Sequence, residues 1–372
     1  MRPATREDEH VRGAVLRGGK VETRETADPV PGQGQLLLKV LSCAICASDL
    51  HFMDNPEAVA EDDSGLWDYQ EDADIVMGHE FVGEIIGHGP GIDAQQFPLG
   101  ARVTSLPVLN VDGVHRIIGC SPAAPGGFGE LMLVQDMFAR VVPDDVPVDH
   151  AALADAFAVG EYYVRNSGII DDGSVIPVVV GGGAIGLSAV AALARRGITP
   201  IIVADFNEGR LATARDLGAT HTVDPRVRSP YDVWTELALG GRAAPSLVEL
   251  NHGGADAIPG CYVYEFVGHP GVLDGIVGAC PPDTRIFTAG GAPEGDHISS
   301  ATAKKKGIVI HFGGGPKHED WYGTLAAVVA GELDPSPVIG MTVDLDGVPA
   351  AIDLARRADG PARIMIHPFG DV

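Results

Sequence analysis

Residues 174–180 (SVIPVVV) run directly into the glycine-rich turn 181–186 (GGGAIG), and an alanine-rich stretch follows. A seven-residue segment that is almost wholly apolar is typical of a β-strand buried on both faces, as in a parallel sheet. A second apolar segment, residues 200–204, comes next and is followed by the acidic residue Asp205. The order of strand, turn, helix and strand predicts a β-α-β unit.

The segments after this unit continue the alternation of strands and helices, whereas the segments before it do not. The later elements are predicted as helices at 208–217, 320–332 and 348–357 and as strands at 262–267, 285–289 and 362–367. Residues 13–150 consist instead of short β-rich segments broken by glycine and proline. Several short strands separated by glycine and proline turns are typical of an antiparallel barrel or sandwich. Pro177 is unusual within the first strand because proline cannot donate to a sheet ladder.

A chain of 372 residues is long enough for two domains. The sequence predicts an α/β protein with a β-rich domain at 1–156 and a doubly wound parallel-sheet domain at 157–312. A C-terminal return, 313–372, is expected to rejoin the first domain.

The composition excludes several function classes. The net charge is −25, from 26 basic and 51 acidic side chains, so we expect no nucleic-acid partner and no anionic membrane partner. No apolar run reaches membrane-span length, and the N-terminus lacks a signal-peptide core. Five widely scattered cysteines are typical of a reducing compartment, which predicts a cytoplasmic protein.

The glycine-rich turn predicts a dinucleotide site. Glycines at the end of a strand permit a tight turn and let a pyrophosphate approach the backbone at a helix N-terminus. Asp205, at the end of the next strand, would accept hydrogen bonds from an adenosine ribose and repel a 2′-phosphate. The candidate cofactor-binding residues of the turn are Gly181, Gly183, Ile185 and Gly186. A plain glycine-rich turn is the alternative.

A second pattern predicts a metal site. Cys46, His79 and Asp155 offer a thiolate, an imidazole and a carboxylate, and three protein ligands with an open fourth position are typical of catalytic zinc. Each residue also has a purely structural interpretation. Cys46 could be a small buried residue, His79 a core histidine and Asp155 a helix cap.

Together these motifs resemble the zinc-containing alcohol dehydrogenases of the medium-chain dehydrogenase/reductase superfamily, over essentially the whole chain. The resemblance rests on residues 46–51 (CASDLH), 78–80 (GHE), 126–130 (GGFGE) and the glycine-rich turn, all in family order. It implies a GroES-like β-barrel catalytic domain followed by a Rossmann cofactor domain. It also implies reversible, NAD-linked oxidation of an alcohol to an aldehyde or ketone.

The resemblance implies a role for each site residue. Cys46, His79 and Asp155 would be ligands of the catalytic zinc, and Glu80 would be a neighbour that can exchange onto the metal. Two residues would move the proton: Ser48 would take it from the alcohol, and His51 would relay it to solvent. Three residues would bind the cofactor. Asp205 would bind the ribose, Arg210 would lie beside the adenosine, and Arg363 would reach the cofactor phosphates.

Three departures from the family pattern matter. The third ligand position holds Asp155 where the alcohol dehydrogenase set is two cysteines and a histidine. Residues 107–115 contain no cysteine where relatives often hold a structural zinc, so we expect one catalytic zinc per chain and no structural zinc. Ala47 stands where some relatives place a basic residue that binds phosphate.

Some questions stay open at this point. A zinc-independent reductase of enones or quinones and a non-catalytic nucleotide-binding protein are the alternative functions, and family likeness suggests a homodimer or homotetramer. Residues 52–73 are acidic and irregular, which predicts a long surface loop. In that loop Trp67 and Tyr69 either line a substrate entrance or pack locally. The sequence does not name the alcohol.

Overall fold

The computed structural model describes residues 11–55, 64–241, 258–290, 295–357 and 359–370. The chain divides into two compact units, Met1–Asp155 with Leu325–Val372 and Ala156–Thr324. The return to the first unit lies within the helix His318–Val329, later than the expected residue 313. The start of that helix stays with the second unit, where Arg165 Nε and Nη2 donate to the Asp320 carboxylate at 2.6 and 3.0 Å.

The elements are numbered in chain order. The strands are β1 (Val11–Arg17), β2 (Lys20–Thr26), β3 (Gln35–Ala44), β4 (Ile75–Val76), β5 (Glu80–His88), β6 (Arg102–Ser105), β7 (Val108–Val111), β8 (Val114–Ile117), β9 (Leu131–Gln135), β10 (Ala139–Val142), β11 (Val175–Val180), β12 (Ile202–Ala204), β13 (His221–Val223), β14 (Gly260–Glu265), β15 (Arg285–Thr288), β16 (Val309–Phe312), β17 (Ile339–Val343) and β18 (Arg363–Ile366). The helices are α1 (Ala47–Asp54), α2 (Val148–Ala152), α3 (Ala154–Ser167), α4 (Ala184–Arg195), α5 (Glu208–Asp216), α6 (Pro230–Leu239), α7 (Val272–Ala279), α8 (Ser300–Lys306), α9 (His318–Val329) and α10 (Val348–Ala355).

The second unit contains a six-stranded parallel sheet in the order β13-β12-β11-β14-β15-β16. The central strand β11 carries Pro177, which pairs with Tyr262 of β14. The ladder to β12 begins only at the next residue, Val178, so proline stands before that pairing starts. The predicted β-α-β order is confirmed.

Helix α4 packs closely on this sheet. Nine of its residues are buried, which explains why the segment is rich in alanine rather than amphipathic. A Cβ atom at Gly186 would lie 1.8 Å from the carbonyl oxygen of Gly181, so the helix can approach the strand only with glycine there.

The first unit is mainly antiparallel. Its large sheet has the order β10-β6-β5-β3-β18-β17, with β9 also paired to β3, and β2-β1-β4 form a second sheet. Strand β9 is buried along its whole length, as its run of four apolar residues before Gln135 allows. The hairpin β7–β8 packs on β9 through β7. The predicted α/β class is confirmed, with the β-rich unit first.

The hairpin β7–β8 occupies residues 108–117, where the sequence lacks a cysteine cluster. Its turn residues Asp112 and Gly113 have positive φ angles of 52° and 86°, as an Asp-Gly hairpin turn requires. Among the described residues, every helix is too short or too polar to span a lipid bilayer.

Candidate active site

Helix α1 begins next to Cys46, the residue that caps it. The backbone of Cys46 is extended, and its N–H donates to Asp49 Oδ2 at 2.8 Å. This reciprocal cap ends the extended segment after β3 and starts the helix at a defined residue. The Cys46 side chain is only 9% exposed and lies at the N-terminal end of α1.

His79 and Glu80 are placed by the turn before β5. Gly78 has a φ of +94°, and a Cβ atom there would lie 2.3 Å from Cδ1 of Phe128. Only glycine fits this turn, because both the conformation and the space exclude a side chain. The turn brings His79 and Glu80 to the start of β5, opposite the end of β3.

Three potential ligand atoms converge where α1 and β5 begin. The Cys46 sulfur, a His79 ring nitrogen and a Glu80 carboxylate oxygen all lie within 4.8 Å of one another. We call these three residues the donor cluster. Asp155, at the start of α3, is half-buried and is not a member of this group.

Arg363 of β18 lies against the donor cluster. Its Nη2 atom donates to Glu80 Oε1 at 2.8 Å and lies 3.8 Å from the Cys46 sulfur, and both charged side chains are at most 4% exposed. Burial raises the pKa of Glu80, an effect that Arg363 opposes. Burial would also raise the pKa of the Cys46 thiol, but Arg363 and the hydrogen bond to His79 lower it to about 6. The cluster therefore favours a thiolate.

Asp49 is a site residue that the sequence reasoning missed. Its Oδ1 atom lies 3.1 Å from His79 Nδ1, and the side chain is 1% exposed. Burial opposes a charged imidazole, but the Asp49 carboxylate raises the pKa of His79. A carboxylate on Nδ1 fixes the orientation of the ring and leaves Nε2 as the ligand atom. The available signal was the position of Asp49 three residues after the helix cap.

The two residues predicted to move the proton lie on α1. The Ser48 hydroxyl is exposed and lies 3.0 Å from His79 Nε2, so the structure brings Ser48 to the donor cluster. His51 lies three residues further along the helix and is exposed. Solvent can therefore reach the imidazole of His51.

The donor cluster fits zinc. Thiolate, imidazole and carboxylate are all donors that zinc accepts. Glu80 Oε2 is buried and has no hydrogen-bond partner, although its other oxygen is paired with Arg363. A buried carboxylate oxygen without a partner is costly, and a cation at this position would satisfy it.

In the second unit the predicted cofactor residues lie together at one edge of the parallel sheet. Gly182 N–H donates to Asp205 Oδ2 at 2.6 Å, and Asn207 N–H donates to Asp205 Oδ1 at 2.7 Å. A Cβ atom at Gly182 would lie 3.3 Å from the Cβ atoms of both Asp205 and Arg210. Helix α4 begins at the turn with Gly183 as its cap. This arrangement can bind a pyrophosphate and a ribose.

Arg363 belongs to the first unit, and its described contacts are those with Glu80 and Cys46. Its expected contact with cofactor phosphates stays a prediction.

An antiparallel β unit with a thiolate, imidazole and carboxylate cluster, followed by a parallel-sheet unit with a dinucleotide turn, defines a metal-dependent dehydrogenase. Residues 32–144 match the alcohol dehydrogenase GroES-like domain, and residues 184–330 match the zinc-binding dehydrogenase family. The two matches cover most of the chain.

Individual proteins agree with these matches. The chain is 26% identical over 343 residues to an L-threonine 3-dehydrogenase of Alteromonas mediterranea, an alignment that covers 89% of this chain and 91% of the relative. The fold resembles 2R,3R-butanediol dehydrogenase from Bacillus subtilis, with a TM-score of 0.75, 23% identity, and coverage of 96% and 99%. Galactitol-1-phosphate dehydrogenase from Escherichia coli gives a TM-score of 0.75, 21% identity, and coverage of 96% and 100%.

The chain belongs to the zinc-containing alcohol dehydrogenase family of the medium-chain dehydrogenase/reductase superfamily. The predicted family, its GroES-like and Rossmann domains and its dehydrogenase activity are confirmed. The chain is an oxidoreductase that uses zinc and a nicotinamide cofactor on a small-molecule alcohol. The zinc-independent reductase and the non-catalytic protein are not favoured.

Proposed function

We propose that this chain is an NAD-linked alcohol dehydrogenase with one catalytic zinc, bound by Cys46, His79 and a carboxylate. The observation that carries the proposal is the donor cluster, in which three different zinc donors meet beside the buried Arg363. The test combines elemental analysis of the purified chain with NAD reduction across primary, secondary, cyclic, aromatic and polyol alcohols. One zinc per chain together with alcohol-dependent NADH formation is the expected result. Two tightly held zincs, or none after zinc-supplemented purification, would contradict it.

The third ligand comes from Glu80 or from Asp155. Glu80 is favoured because it already lies in the donor cluster and has one unsatisfied buried oxygen. Bound zinc would act as a Lewis acid that lowers the pKa of the substrate hydroxyl. The protein residues position this chemistry: Asp49 orients His79, and Arg363 holds Glu80.

Ser48 and His51 are proposed to carry the substrate proton to solvent. The Ser48 hydroxyl lies at the donor cluster and can accept the proton that an alcohol releases while it donates its own proton onward to water. His51 is exposed and can pass a proton to water or to buffer. A positioned donor and acceptor of this kind supplies general acid–base catalysis.

The cofactor is proposed to be NAD, bound at the glycine-rich turn with Asp205 on the adenosine ribose and Arg210 beside the adenosine. The Asp205 carboxylate would repel the 2′-phosphate of NADP. Arg363 is proposed to contact the cofactor phosphates.

We also propose that the chain binds no structural zinc, because its 107–115 stretch has no cysteine and forms a hairpin. We further propose that the protein is a homodimer or homotetramer in the cytoplasm. We expect it to have no nucleic-acid or membrane partner. All five cysteines are free thiols, which supports a reducing compartment.

A further inference from the structure

The two residues that follow strand β12 are the ribose acid and an exposed aromatic residue. Asp205 accepts backbone hydrogen bonds at both oxygens, from Gly182 and Asn207, so its carboxylate is fixed beside the glycine-rich turn. Phe206 comes next in the chain and is 62% exposed. A group that contacts the backbone of Phe206 therefore lies next to the carboxylate proposed to bind the adenosine ribose.

Arg226 makes such a contact. Its Nη2 atom donates to the Phe206 carbonyl oxygen at 2.7 Å, and its Cζ atom lies 5.3 Å from the centre of the Phe206 ring. The Arg226 side chain is 63% exposed, and its Nη1 atom makes no hydrogen bond within the described part of the chain. An arginine near the ribose is the type of residue that accommodates the 2′-phosphate of NADP. By its position alone, Arg226 would favour NADP and oppose the effect of Asp205.

Asp224 neutralises this arginine. Arg226 Nε donates to Asp224 Oδ1 at 2.9 Å, and Nη2 donates to Asp224 Oδ2 at 2.6 Å, so the pair is bidentate. Asp224 follows strand β13, which pairs with β12, so the carboxylate comes from the neighbouring strand end. Two parallel hydrogen bonds fix the plane of the guanidinium as well as its position. A 2′-phosphate placed here would meet a neutral pair rather than a free cation.

The charge of Asp224 can be separated from its role in the backbone turn. Asp224 Oδ1 also accepts a hydrogen bond from the backbone N–H of Arg226 at 2.9 Å. Asparagine can accept the same bond through its side-chain oxygen, so Asp224→Asn keeps the turn and removes the charge. An exposed ion pair adds little to stability, so loss of the charge should not unfold the protein.

We propose that Asp224 is a second residue that determines cofactor choice, because its ion pair with Arg226 withholds that guanidinium from a 2′-phosphate. The inference rests on the proposed NAD-linked function and deepens it. Asp205 repels the 2′-phosphate of NADP, and Asp224 cancels the attraction that a free Arg226 would supply.

The first test measures nucleotide binding without turnover. Isothermal titration calorimetry compares 5′-AMP with 2′,5′-ADP, two ligands that differ only in the 2′-phosphate. Asp224→Asn should shift the ratio of their dissociation constants toward 2′,5′-ADP by about fivefold, which corresponds to about 1 kcal/mol for one unit charge acting at about 4 Å in water. The shift should decrease as KCl is added, because salt screens exposed charges. If Asp224→Asn does not fold, Asp224→Ser replaces it, since a serine hydroxyl also accepts the backbone bond of such a turn.

The second test asks whether the shift acts through Arg226. In the Asp224→Asn, Arg226→Gln double variant both charges are absent, so the ratio of dissociation constants should return close to the wild-type value. A shift that persists in the double variant would overturn the inference, because it would mean that Asp224 acts on the phosphate through its own charge.

The matched control is Glu236→Gln. Glu236 of α6 pairs with Arg228, which lies two residues after Arg226 and has no described contact with Phe206. This variant frees an arginine at the same edge of the sheet, and the ratio should stay at the wild-type value. An equal shift in the control would contradict the assignment, because any lost carboxylate would then have the same effect.

Kinetics with both cofactors separate this inference from the dehydrogenase proposal. The ratio of kcat/KM for NADP to that for NAD should rise in Asp224→Asn in step with the binding ratio. Alcohol-dependent NAD reduction with a ratio that Asp224→Asn leaves unchanged overturns the role of Asp224 and leaves the dehydrogenase proposal standing. The expected shift in nucleotide binding, without reduction of either cofactor by any alcohol, supports the role of Asp224 and overturns the dehydrogenase proposal.

Discussion

At the scale of single residues, Glu80 shows why a buried carboxylate can hold a metal. Its Oε1 atom is paired with Arg363, so one negative charge is already compensated. Its Oε2 atom is buried without a partner, and such a group costs about 1–3 kcal/mol. A cation bound by Cys46 and His79 would remove that cost. Glu80 is therefore a stronger candidate for the third ligand than Asp155.

The first prediction compares the two carboxylates directly. Glu80→Gln should weaken zinc binding by more than about 100-fold. Losing a residue that only hydrogen-bonds a metal ligand weakens metal binding by at most about 100-fold, so a larger loss indicates that Glu80 itself is a ligand. Asp155→Asn should weaken it less. Competition with a chromogenic chelator measures both affinities without any assay of activity, and circular dichroism checks that each variant folds. The reverse order would assign the third ligand to Asp155.

The second prediction concerns the Ser48 hydroxyl. Ser48→Ala should retain zinc and NAD binding, while single-turnover hydride transfer falls by about two to four powers of ten, the range for a general acid–base group. His51→Gln should cost less, and added buffer base should restore part of its rate. A loss below about tenfold in Ser48→Ala would mean that the hydroxyl merely packs beside the metal.

The third prediction concerns cofactor choice at Asp205. Both oxygens of this carboxylate accept backbone hydrogen bonds, which hold the charge beside the glycine-rich turn. The wild type should prefer NAD to NADP, and Asp205→Ser should shrink that preference by about tenfold or more as the repulsion is removed. Ratios of kcat/KM for the two cofactors measure this effect. Equal efficiency with both cofactors in the wild type would contradict the assignment.

Part of the site could be predicted from sequence because its chemistry is carried by short motifs. Cys46 and His79 stand in such motifs, and the structure brings them together. The choice between Glu80 and Asp155 could not be predicted, because it depends on the packing of elements far apart in the chain. The role of Asp49 was missed for the same reason: it exists only once α1 and β5 meet.

At the scale of helices and strands, local sequence patterns predict well where an element begins and ends. They predict poorly which other elements pack against it. The strand β11 begins and ends within a residue of its predicted limits, because the glycine turn that follows it is visible in the sequence. The burial of β9 agrees with its apolar run 131–134, but its packing against the hairpin β7–β8 could not be predicted from either segment alone. The turn Asp112-Gly113 marks that hairpin in the sequence, but not where it packs.

A polar link joins three elements of the first unit. Asp149 of α2 accepts hydrogen bonds at Oδ1 from Ser42 of β3 at 2.6 Å and from His367, which follows β18, at 2.8 Å. Burial would raise the pKa of Asp149, but the hydrogen bonds from His367 and Ser42 lower it. The link therefore connects the C-terminal return to the β-rich unit through a charged carboxylate.

The fourth prediction follows from this link. Asp149→Asn should lower the free energy of unfolding at neutral pH by about 1.5–3 kcal/mol, the value of hydrogen bonds to a charged group. Because the folded-state pKa is depressed, this stabilisation is present above the ordinary aspartate pKa and is lost as pH falls through the folded value. Urea unfolding of wild type and variant at several pH values measures the difference. The exposed Asp145→Asn is the matched control, and a difference that persists in acid would contradict the prediction.

At the scale of the whole molecule, the dominant feature is the charge of −25. The 51 acidic side chains outnumber the 26 basic ones almost two to one, so many carboxylates cannot be paired one to one. Exposed ion pairs such as Arg357 with Asp359 contribute little to stability, because water and salt screen them. Mutual repulsion among the excess carboxylates therefore acts against the compact state.

The last prediction is that salt stabilises this protein. Between 0.1 M and 1 M salt the Debye length falls from about 10 Å to about 3 Å, which screens repulsion between exposed carboxylates. Salt also weakens the surface ion pairs. Because each pair contributes little, we expect this loss to be smaller than the gain from screening the repulsion among the excess carboxylates. The midpoint of thermal unfolding should therefore rise with KCl. The double variant Glu25→Gln, Asp145→Asn removes two exposed charges and should show a smaller rise. Sucrose at matched osmolality should stabilise both chains equally, because it screens no charge. A midpoint that falls with KCl, or a slope that the double variant does not reduce, would show that ion pairing outweighs repulsion on this surface.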